Sequence, residues 1–275
     1  MLFPFAGIFI LIKHIKPMNY CVNLKNAIAT LIVAMVIIPS FGQIAEVVSL
    51  REITLKKDAN PIMFQNMMHI VRNELDEKAM GAHVNIWMGE RGERKGKYIH
   101  AYSFDFKAAR DYYFPEAGGA APRAEALNKR VQVPVDPGTM IEGTPTYTDY
   151  VLLGFDKLVT PRGGPVAGVR KVEVPAANQA AFEKIVIEKL QPYWQEHVDG
   201  MYVYLYKGDR GERKGQYLYV VFFDSIERRN AYYPSEGGDS SDAFKKATEG
   251  IPDFGLEKLG AKVVGDSYTD YVIVY

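Results

Sequence analysis

The hydrophobic and polar positions of this chain predict short strands that alternate with helices. Arg51–Lys56 alternates between polar and apolar residues, which is the pattern of a strand with one buried face. Asn60 and Pro61 then predict a helix start, because asparagine accepts hydrogen bonds from a first turn and proline suits its first position. The next apolar residues recur at helical spacing and support this helix: Phe64, Met67, Met68, Val71 and Leu75.

Further elements complete a first unit with the order β-α-β-β-α-β. The second helix of this unit is expected to break near Pro115, because a proline and a glycine pair follow each other there. The remaining elements are strands at His83–Met88 and Lys97–Phe104, helical segments at Lys107–Tyr113 and Ala124–Lys129, and a closing strand at Thr148–Gly154.

A second copy of this unit follows at an offset of 119 residues. The hexapeptide RGERKG occurs at Arg91–Gly96 and again at Arg210–Gly215. When Met88–Gly119 is aligned with Lys207–Gly238, 15 of the 32 positions are identical, and the pentapeptide YTDYV recurs near the end of each copy. A repeat of this length indicates the duplication of a whole domain rather than a solenoid.

The second copy predicts the same order of elements. Its strands are expected at Arg170–Val174, Met201–Lys207, Gln216–Phe223 and Asp270–Tyr275, with helices through Phe182–Leu190 and from Ser225. A segment rich in glycine and proline separates the copies and is typical of a linker. We therefore expect a first domain at 49–154, a linker at 155–168 and a second domain at 169–275.

The first 42 residues differ from the rest, because they contain no acidic residue. An apolar run at Ala27–Ile38 follows a basic residue and precedes Ser40 and Gly42, the small residues of a cleavage site. This order predicts a secretory signal peptide at 1–42, with Met18 as a second candidate start. The run is short for a transmembrane span, so we favour an exported protein over the alternative of an N-terminal membrane anchor.

Charge and cysteine content add few constraints. The chain has 33 basic and 33 acidic residues, and loss of Lys13, Lys16 and Lys25 with the signal peptide would leave 30 basic residues and a net charge of −3. That balance gives no reason to expect a nucleic-acid partner. The single cysteine, Cys21, would also be lost, so we expect no disulfide.

Each unit has the order of a ferredoxin-like domain, in which helices cover one face of an antiparallel sheet. The open face of such a sheet needs a partner, and the other unit supplies it. We therefore expect an α+β fold in which two tandem ferredoxin-like domains form a pseudo-dimeric α/β barrel within one chain. Association between chains is left open.

The chain resembles the dimeric α/β-barrel superfamily in this element order and in the pattern of aromatic residues, arginine, tyrosine and proline after the third strand. That superfamily includes antibiotic-biosynthesis-monooxygenase-like domains, and the resemblance covers both repeats. It implies the fold, and it implies a range of functions: cofactor-free oxygenases, haem-binding enzymes, isomerases, and binding or stress proteins. Some haem-degrading members use an Asn, a Trp and a His. The same residue types occur in this chain, but they are not matched to the strands or helices that carry them in those members.

Strand alternation assigns two faces to the central hairpin of each unit. We expect the aliphatic faces to cover the helices, and the aromatic and polar faces to line the space between the sheets. The candidate ligand-binding residues on the second set of faces are His83, Trp87, Tyr98, Tyr102, Tyr202, Tyr204, Tyr206, Tyr217 and Tyr219.

Asn85 and His100 are the candidate catalytic residues. They lie opposite each other if Met88 pairs with Lys97. An imidazole can act as a base near neutral pH, and an amide can donate a hydrogen bond to a developing oxyanion. Only the first unit carries histidine in the hairpin, so the chemistry is expected there. His83 and His100 are too few for a metal site, and a structural role for each remains an alternative.

These residues predict an exported protein that binds a small aromatic or carbonyl-containing molecule in a barrel pocket. A cofactor-independent oxygenase or isomerase is the catalytic version, and the sequence leaves open whether the protein is an enzyme. Two alternatives remain: a non-catalytic structural or sensing protein with a tyrosine-rich core, and a haem-binding protein. No nucleotide or metal motif is present in the sequence, so no cofactor is assigned, and no membrane span is expected after signal cleavage.

The repeated hexapeptide is expected to form the turn of each hairpin, with its glycines at positive φ. A less favoured interpretation is that the two basic loops meet and bind an anionic partner. Arg110 and Arg229 are expected to pair with nearby carboxylates, and Asp105 and Asp224 to cap the helices that follow them.

Overall fold

The computed structural model describes residues 44–115, 120–155, 163–236, 239–265 and 267–274. These residues belong to one compact unit. The predicted signal peptide at 1–42 and the middle of the predicted linker lie outside the described residues. Within the described residues, no helix has both the length and the apolar composition that a membrane crossing requires.

The described part of the first half (44–155) has the predicted order of strands and helices. Its strands are β1 (Val47–Ile53), β2 (Ala82–Gly92), β3 (Tyr98–Phe104) and β4 (Tyr147–Leu152). Its helices are α1 (Pro61–Lys78), α2 (Lys107–Tyr113) and α3 (Pro122–Asn128), followed by a 3₁₀ turn at Pro137–Met140.

The described part of the second half (163–274) repeats this order. Its strands are β5 (Val166–Glu173), β6 (Met201–Gly211), β7 (Tyr217–Phe223), β8 (Lys262–Val263) and β9 (Thr269–Val274). Its helices are α4 (Gln179–Ile185), a π-helical turn (Val186–Leu190), α5 (Gln191–His197), α6 (Ile226–Tyr232) and α7 (Asp242–Ala247), with 3₁₀ turns at Ala176–Asn178 and Glu257–Leu259.

Eight antiparallel strands close into a barrel. Their order is β7-β6-β4-β1-β3-β2-β9-β5, and β5 pairs back with β7. The short strand β8 pairs with the end of β5. The two halves interlock, because β4 pairs with β6 and β9 pairs with β2. Closing the ring covers the free edges that two separate sheets would expose. The predicted α+β class and the barrel are confirmed.

Helix α1 begins where the sequence predicted. Asn60 Oδ1 accepts hydrogen bonds from the backbone N–H groups of Ile62 (2.9 Å) and Met63 (3.2 Å), and Pro61 occupies the first position. One face of the helix is buried against the outer side of the sheet through Phe64, Met68 and Leu75.

The predicted caps of the later helices are wrong. Helix α6 is capped by Ser225, whose hydroxyl accepts from the backbone N–H of Arg228 at 3.0 Å. Helix α2 has no side-chain cap of its own, and the backbone N–H of Lys107 donates to the Glu46 carboxylate at 2.8 Å. Asp105 and Asp224 therefore precede these helices without capping them.

The register of the first hairpin differs by one residue from the prediction. Met88 pairs with Tyr98 rather than with Lys97. The backbone N–H of Gly89 donates to the Lys97 carbonyl (2.8 Å), and the Gly96 N–H donates to the Gly89 carbonyl (2.7 Å). Gly96 and Lys97 therefore both lie opposite Gly89. Such a bulge shifts the pairing by one position, and because side chains alternate, every β3 side chain points to the face opposite to the predicted one.

The hexapeptide forms the turn of each hairpin, as predicted, and it also joins the halves. Gly92 and Gly96 have φ values of 88° and 77°. Gly92 is still part of β2 and pairs with Thr269 of the second half. A Cβ atom at Gly92 would lie 2.1 Å from the Tyr268 carbonyl oxygen, so this close approach between strands requires glycine.

Candidate functional site

The barrel interior contains four of the predicted ligand-binding residues. Trp87, Tyr202, Tyr204 and Tyr206 belong to the buried cluster that fills it. A cavity of about 80 Å³ remains there, and Asn85 lines it beside Trp87. We call it the interior cavity. The side chains of Trp87, Tyr202, Tyr204 and Tyr206 are therefore mostly packed in the core.

Five residues predicted to face the barrel interior lie on the outer side of the sheet instead, so that part of the prediction is wrong. The bulges in the two hairpins move them under the helices. In the first half, Tyr98 contacts Phe64 of α1 with ring centroids 5.1 Å apart. In the second half, the Tyr217 hydroxyl donates to the Glu183 carboxylate at 2.6 Å. The five residues are Tyr98, His100, Tyr102, Tyr217 and Tyr219.

Asn85 and His100 lie on opposite faces of the sheet. Ile86, the neighbour of Asn85, pairs with His100. The Nε2 atom of His100 is buried, and no described residue hydrogen-bonds to it. Burial, together with the charge of Arg51, lowers the pKa of His100 to about 3, so the imidazole is neutral at ordinary pH. The two side chains cannot act on one ligand, and the predicted opposition of Asn85 and His100 is wrong.

His83 lies near the surface and forms ion-pair contacts. Its Nδ1 is 3.3 Å from Asp76 Oδ1, and its Nε2 is 3.4 Å from Asp105 Oδ1. The hydrogen bond with Asp76 is the main cause that raises the pKa of His83. The residue therefore links the end of α1 to the segment after β3, outside both barrel and cavities.

The described residues include neither a cluster that could hold a metal ion nor a histidine in a cavity that could ligate a haem. Within the described ranges, no group of three or more His, Cys, Asp or Glu residues could hold a metal. The residues that line the four main cavities include no histidine. A histidine that ligates a haem needs open space beside it, and neither His83 nor His100 lines any of these cavities.

A cavity of about 190 Å³ lies between the sheet and the helices of the second half. We call it the second-half cavity. Aromatic rings form most of its wall, since the ring centroid of Phe244 is 4.9 Å from that of Tyr233 and 6.3 Å from that of Trp194. Its lining is Gly168, Arg170, Trp194, Met201, Tyr219, Val221, Phe223, Tyr233, Phe244, Tyr268 and Asp270.

Local sequence differences create this cavity. Val221 is aligned with Tyr102 of the first half, whose ring packs near Phe104 and Phe114. The corresponding space in the first half is only about 20 Å³. In addition, Trp194 follows the π-helical turn Val186–Leu190, whereas α1 is a continuous helix of 18 residues. Turns of this type often occur at functional sites.

Charged groups gather at one end of the second-half cavity. Arg229 Nη1 donates to Asp270 Oδ2 at 2.9 Å, and the Tyr268 hydroxyl donates to the other oxygen of Asp270. Glu90, from the first half, accepts a further hydrogen bond from Arg229. Because Asp270 is fully buried, these partners offset the cost of burying its charge. The prediction that Arg229 pairs with carboxylates is confirmed, and Arg110 does the same with Asp209.

Arg170 adds a cation that faces the same space. Its guanidinium carbon lies 4.9 Å from the centre of the Tyr268 ring, and it makes no ion pair among the described residues. Burial raises the pKa of Tyr233 to about 12 and also raises the pKa of Tyr219. These hydroxyls therefore stay protonated and can donate hydrogen bonds to a bound oxygen atom.

Comparisons with known proteins concern the fold. No protein-family model matches the chain, and no similar protein was found among curated proteins. Among solved structures, a provisionally assigned monooxygenase from Lactobacillus acidophilus is 12% identical, with 83% of this chain and 94% of that chain covered and a TM-score of 0.49. An anthrone oxidase-like protein is 14% identical, with 86% and 94% covered and a TM-score of 0.47.

A chlorite dismutase from Candidatus Nitrospira defluvii, solved in complex with imidazole, is 9% identical, with 83% of this chain and 90% of that chain covered and a TM-score of 0.43. Identities and TM-scores this low carry no argument about this chain, so function must be argued from the residues of the site.

Proposed function

We propose that this protein binds a compact aromatic molecule with a carbonyl or phenolic oxygen in the second-half cavity. The observation that supports this most directly is an aromatic cavity that contains Arg170, a cation with no ion-pair partner among the described residues. An aromatic ring would pack against Tyr233 and Phe244, and its oxygen would accept a hydrogen bond from Arg170.

The volume of the cavity limits the size of the ligand. Its 190 Å³ exceeds the roughly 150 Å³ of an engineered cavity that binds benzene. It is smaller than the about 300–1,000 Å³ of sites for drug-sized molecules and cofactors. A ligand with one ring or two fused rings suits this space, and a haem does not.

A cofactor-independent oxygenase or isomerase is the catalytic form of this proposal. Such a reaction needs a group that accepts a proton beside the ligand. Asp270 is the carboxylate of the described lining, and Arg229 and Tyr268 hold it in place. We assign the base to Asp270 rather than to His100, which faces no cavity. The packed barrel interior supports the alternative of a non-catalytic binding or sensing protein.

The internal repeat and the N-terminal composition support two further parts of the proposal. We infer that the barrel arose from two fused ferredoxin-like domains, at 49–154 and 169–275. We also infer that the chain is exported after removal of 1–42. N-terminal sequencing of the protein purified from its host tests the cleavage, and a mature chain that starts at Met1 or Met18 would contradict it.

Binding can be located by fluorescence, because the chain has two tryptophans and Trp194 lines the cavity. In a Trp87→Phe variant, Trp194 is the reporter. We expect 4-hydroxyacetophenone or 1,4-naphthoquinone to quench its emission saturably, and calorimetry to give the same dissociation constant. Arg170→Gln should weaken binding about ten- to a hundredfold, since a hydrogen bond to a charged group contributes about 1.5–3 kcal/mol.

Val221→Tyr tests the shape of the cavity. The new ring should fill the space as Tyr102 does in the first half and should abolish quenching of Trp194. Tyr102→Val is the matched control, because it removes the aligned ring and leaves the second-half cavity intact. A folded Val221→Tyr protein that binds both compounds as tightly as the wild type would disprove the proposed site.

A further inference from the structure

The two RGERKG loops meet at one open end of the barrel, beside a cavity of about 350 Å³. We call it the mouth cavity. Each loop is anchored on the other half of the molecule: the backbone N–H of Arg94 donates to Thr269 Oγ1 at 3.2 Å, and that of Arg213 donates to Thr148 Oγ1 at 3.1 Å. These reciprocal contacts hold both arginines at the mouth.

Three cations converge there on one carboxylate. Glu52 Oε2 lies 2.8 Å from Arg94 Nη1, while Glu52 Oε1 lies 3.1 Å from Arg213 Nη2 and 3.5 Å from Lys171 Nζ. Although burial alone would raise the pKa of Glu52, these three charges lower it. Glu52 is therefore ionised, and its two oxygens accept hydrogen bonds from only some of the N–H donors around it.

The inner part of the mouth cavity contains a hydrogen-bond donor without an acceptor among the described residues. Arg94 Nε is buried, and no described residue accepts its hydrogen bond. An unsatisfied buried donor is unfavourable and favours any ligand that supplies an acceptor. The two other carboxylates of the lining, Glu93 and Glu212, are exposed at the rim, where solvent screens their charge.

Below the charged groups the mouth cavity becomes apolar. Leu50, Ile99 and Leu218 line both the mouth cavity and the interior cavity of about 80 Å³, so the two adjoin. Trp87 and Phe222 form the far wall of the interior cavity. A molecule at the mouth would therefore meet cations at one end and apolar side chains at the other.

We propose that the mouth cavity is a second binding site, which takes a small organic acid. Its carboxylate would bind Arg94 and Arg213, beside Glu52, and a short aliphatic or aromatic tail would extend along Leu50 and Ile99 towards Trp87. This site is independent of the second-half cavity, because the linings of the two have no residue in common.

The second tryptophan separates the two sites. A Trp194→Phe variant leaves Trp87 as the reporter beside the interior cavity. We expect hexanoate to change its emission saturably at neutral pH. Hexanol, which lacks the charge, and sulfate, which lacks the tail, should each bind at least tenfold more weakly.

Two substitutions should act in opposite directions. The double variant Arg94→Gln/Arg213→Gln should weaken hexanoate binding at least tenfold, because hydrogen bonds from charged donors are lost. Glu52→Gln should tighten it at least threefold, because a competing negative charge disappears. Lys214→Gln is the matched control, since it removes one positive charge from the same loop outside the cavity lining. Its affinity should stay within twofold of the wild type.

Three results would overturn the site. They are equal affinity for hexanoate and hexanol, unchanged affinity in a folded Arg94→Gln/Arg213→Gln protein, and weaker binding in Glu52→Gln. Quenching of Trp194 by hexanoate in the Trp87→Phe variant, with no change of Trp87 emission in the Trp194→Phe variant, would also overturn it and would assign the acid to the second-half cavity. Failure of 4-hydroxyacetophenone to bind concerns only that other cavity.

Discussion

The outer layers of the two halves both contain arginine–carboxylate ion pairs, but they differ in the size of the cavity beside those pairs. In the first half, Tyr102 fills the region between sheet and helices, and about 20 Å³ remains. In the second half, Val221 stands at the aligned position, and a cavity of about 190 Å³ opens beside Arg170. A repeated layer can therefore keep its structural ion pairs while local changes such as Val221 open a larger cavity beside them.

The ion pairs themselves are not equivalent. Arg110 Nη1 is 2.6 Å from Asp209 Oδ2 but 3.6 Å from the buried Asp149 Oδ2, and burial raises the pKa of Asp149. Arg229 Nη1 is 2.9 Å from Asp270 Oδ2, and Asp270 is fully buried. The second half thus depends more strongly on its arginine, at the end of the cavity where we place the ligand.

Arg229→Met should cause the largest loss of stability. It leaves Asp270 buried with Tyr268 as a remaining partner, and removal of one member of a buried pair costs about 3–5 kcal/mol. Arg110→Met should cost about 1–3 kcal/mol, because Asp149 lies further from its arginine and is more easily neutralised. Urea unfolding of both variants measures the free energy of unfolding.

A double variant separates the pair from general disruption. Arg229→Met combined with Asp270→Asn removes the buried charge as well as its partner and should recover most of the stability lost in Arg229→Met. Equal losses in Arg110→Met and Arg229→Met would show that the two halves do not differ in this respect.

His100 should make the first half sensitive to acid. Its pKa of about 3 in the folded state is below the unfolded value of about 6.5. Between these values the unfolded chain binds a proton that the folded protein excludes. Stability contributed by neutral His100 is therefore lost as pH falls through this window, by at most about 1.4 kcal/mol per pH unit.

His100→Tyr, which introduces the residue of the aligned position Tyr219, should reduce this slope. The measurement is the free energy of unfolding in urea between about pH 4.5 and pH 7 for both proteins. His83 gives a control of opposite sign, because its raised pKa provides stability that is present below about pH 6.5 and lost as pH rises through the folded value. Identical slopes for wild type and His100→Tyr would contradict the prediction.

Local patterns predicted the elements well but could not predict which face β3 buries. The start of α1 depends on Asn60 and Pro61, which act on their own neighbours in the chain. The face of His100 depends instead on the bulge at Gly89, where one extra residue of the returning strand reverses the alternation. An alternating sequence is compatible with either one or two residues opposite Gly89. The sequence alone therefore does not determine which face of β3 is buried.

The aligned repeats contain a sequence signal for the second-half cavity. The aligned repeats place Val221 against Tyr102 and Gly168 against Ser49, and both changes remove volume from the same layer. The contacts of Arg94 had no such signal, because its partner Thr269 lies in the other half of the chain. Only the closed barrel brings them together.

The smallest effect is expected at Lys95, within the repeated hexapeptide. Its ammonium group pairs with Glu236, but the two side chains are 57% and 66% exposed, so solvent screens the pair and its contribution to stability is small. Arg91 in the same loop reaches the other half, where it donates to the Tyr233 carbonyl at 2.7 Å and to Asn230 Oδ1 at 2.8 Å.

Lys95→Gln should therefore change the free energy of unfolding much less than Arg91→Gln, which should lower it by about 1–2 kcal/mol. Urea unfolding at low and at high salt measures both, and the small contribution of Lys95 should vanish at high salt because exposed charges are screened. A loss in Lys95→Gln as large as that in Arg91→Gln would mean that the exposed end of the loop also holds the halves together. In that case, contacts between the halves would account for the identity of the two hexapeptides at lysine as well as at arginine.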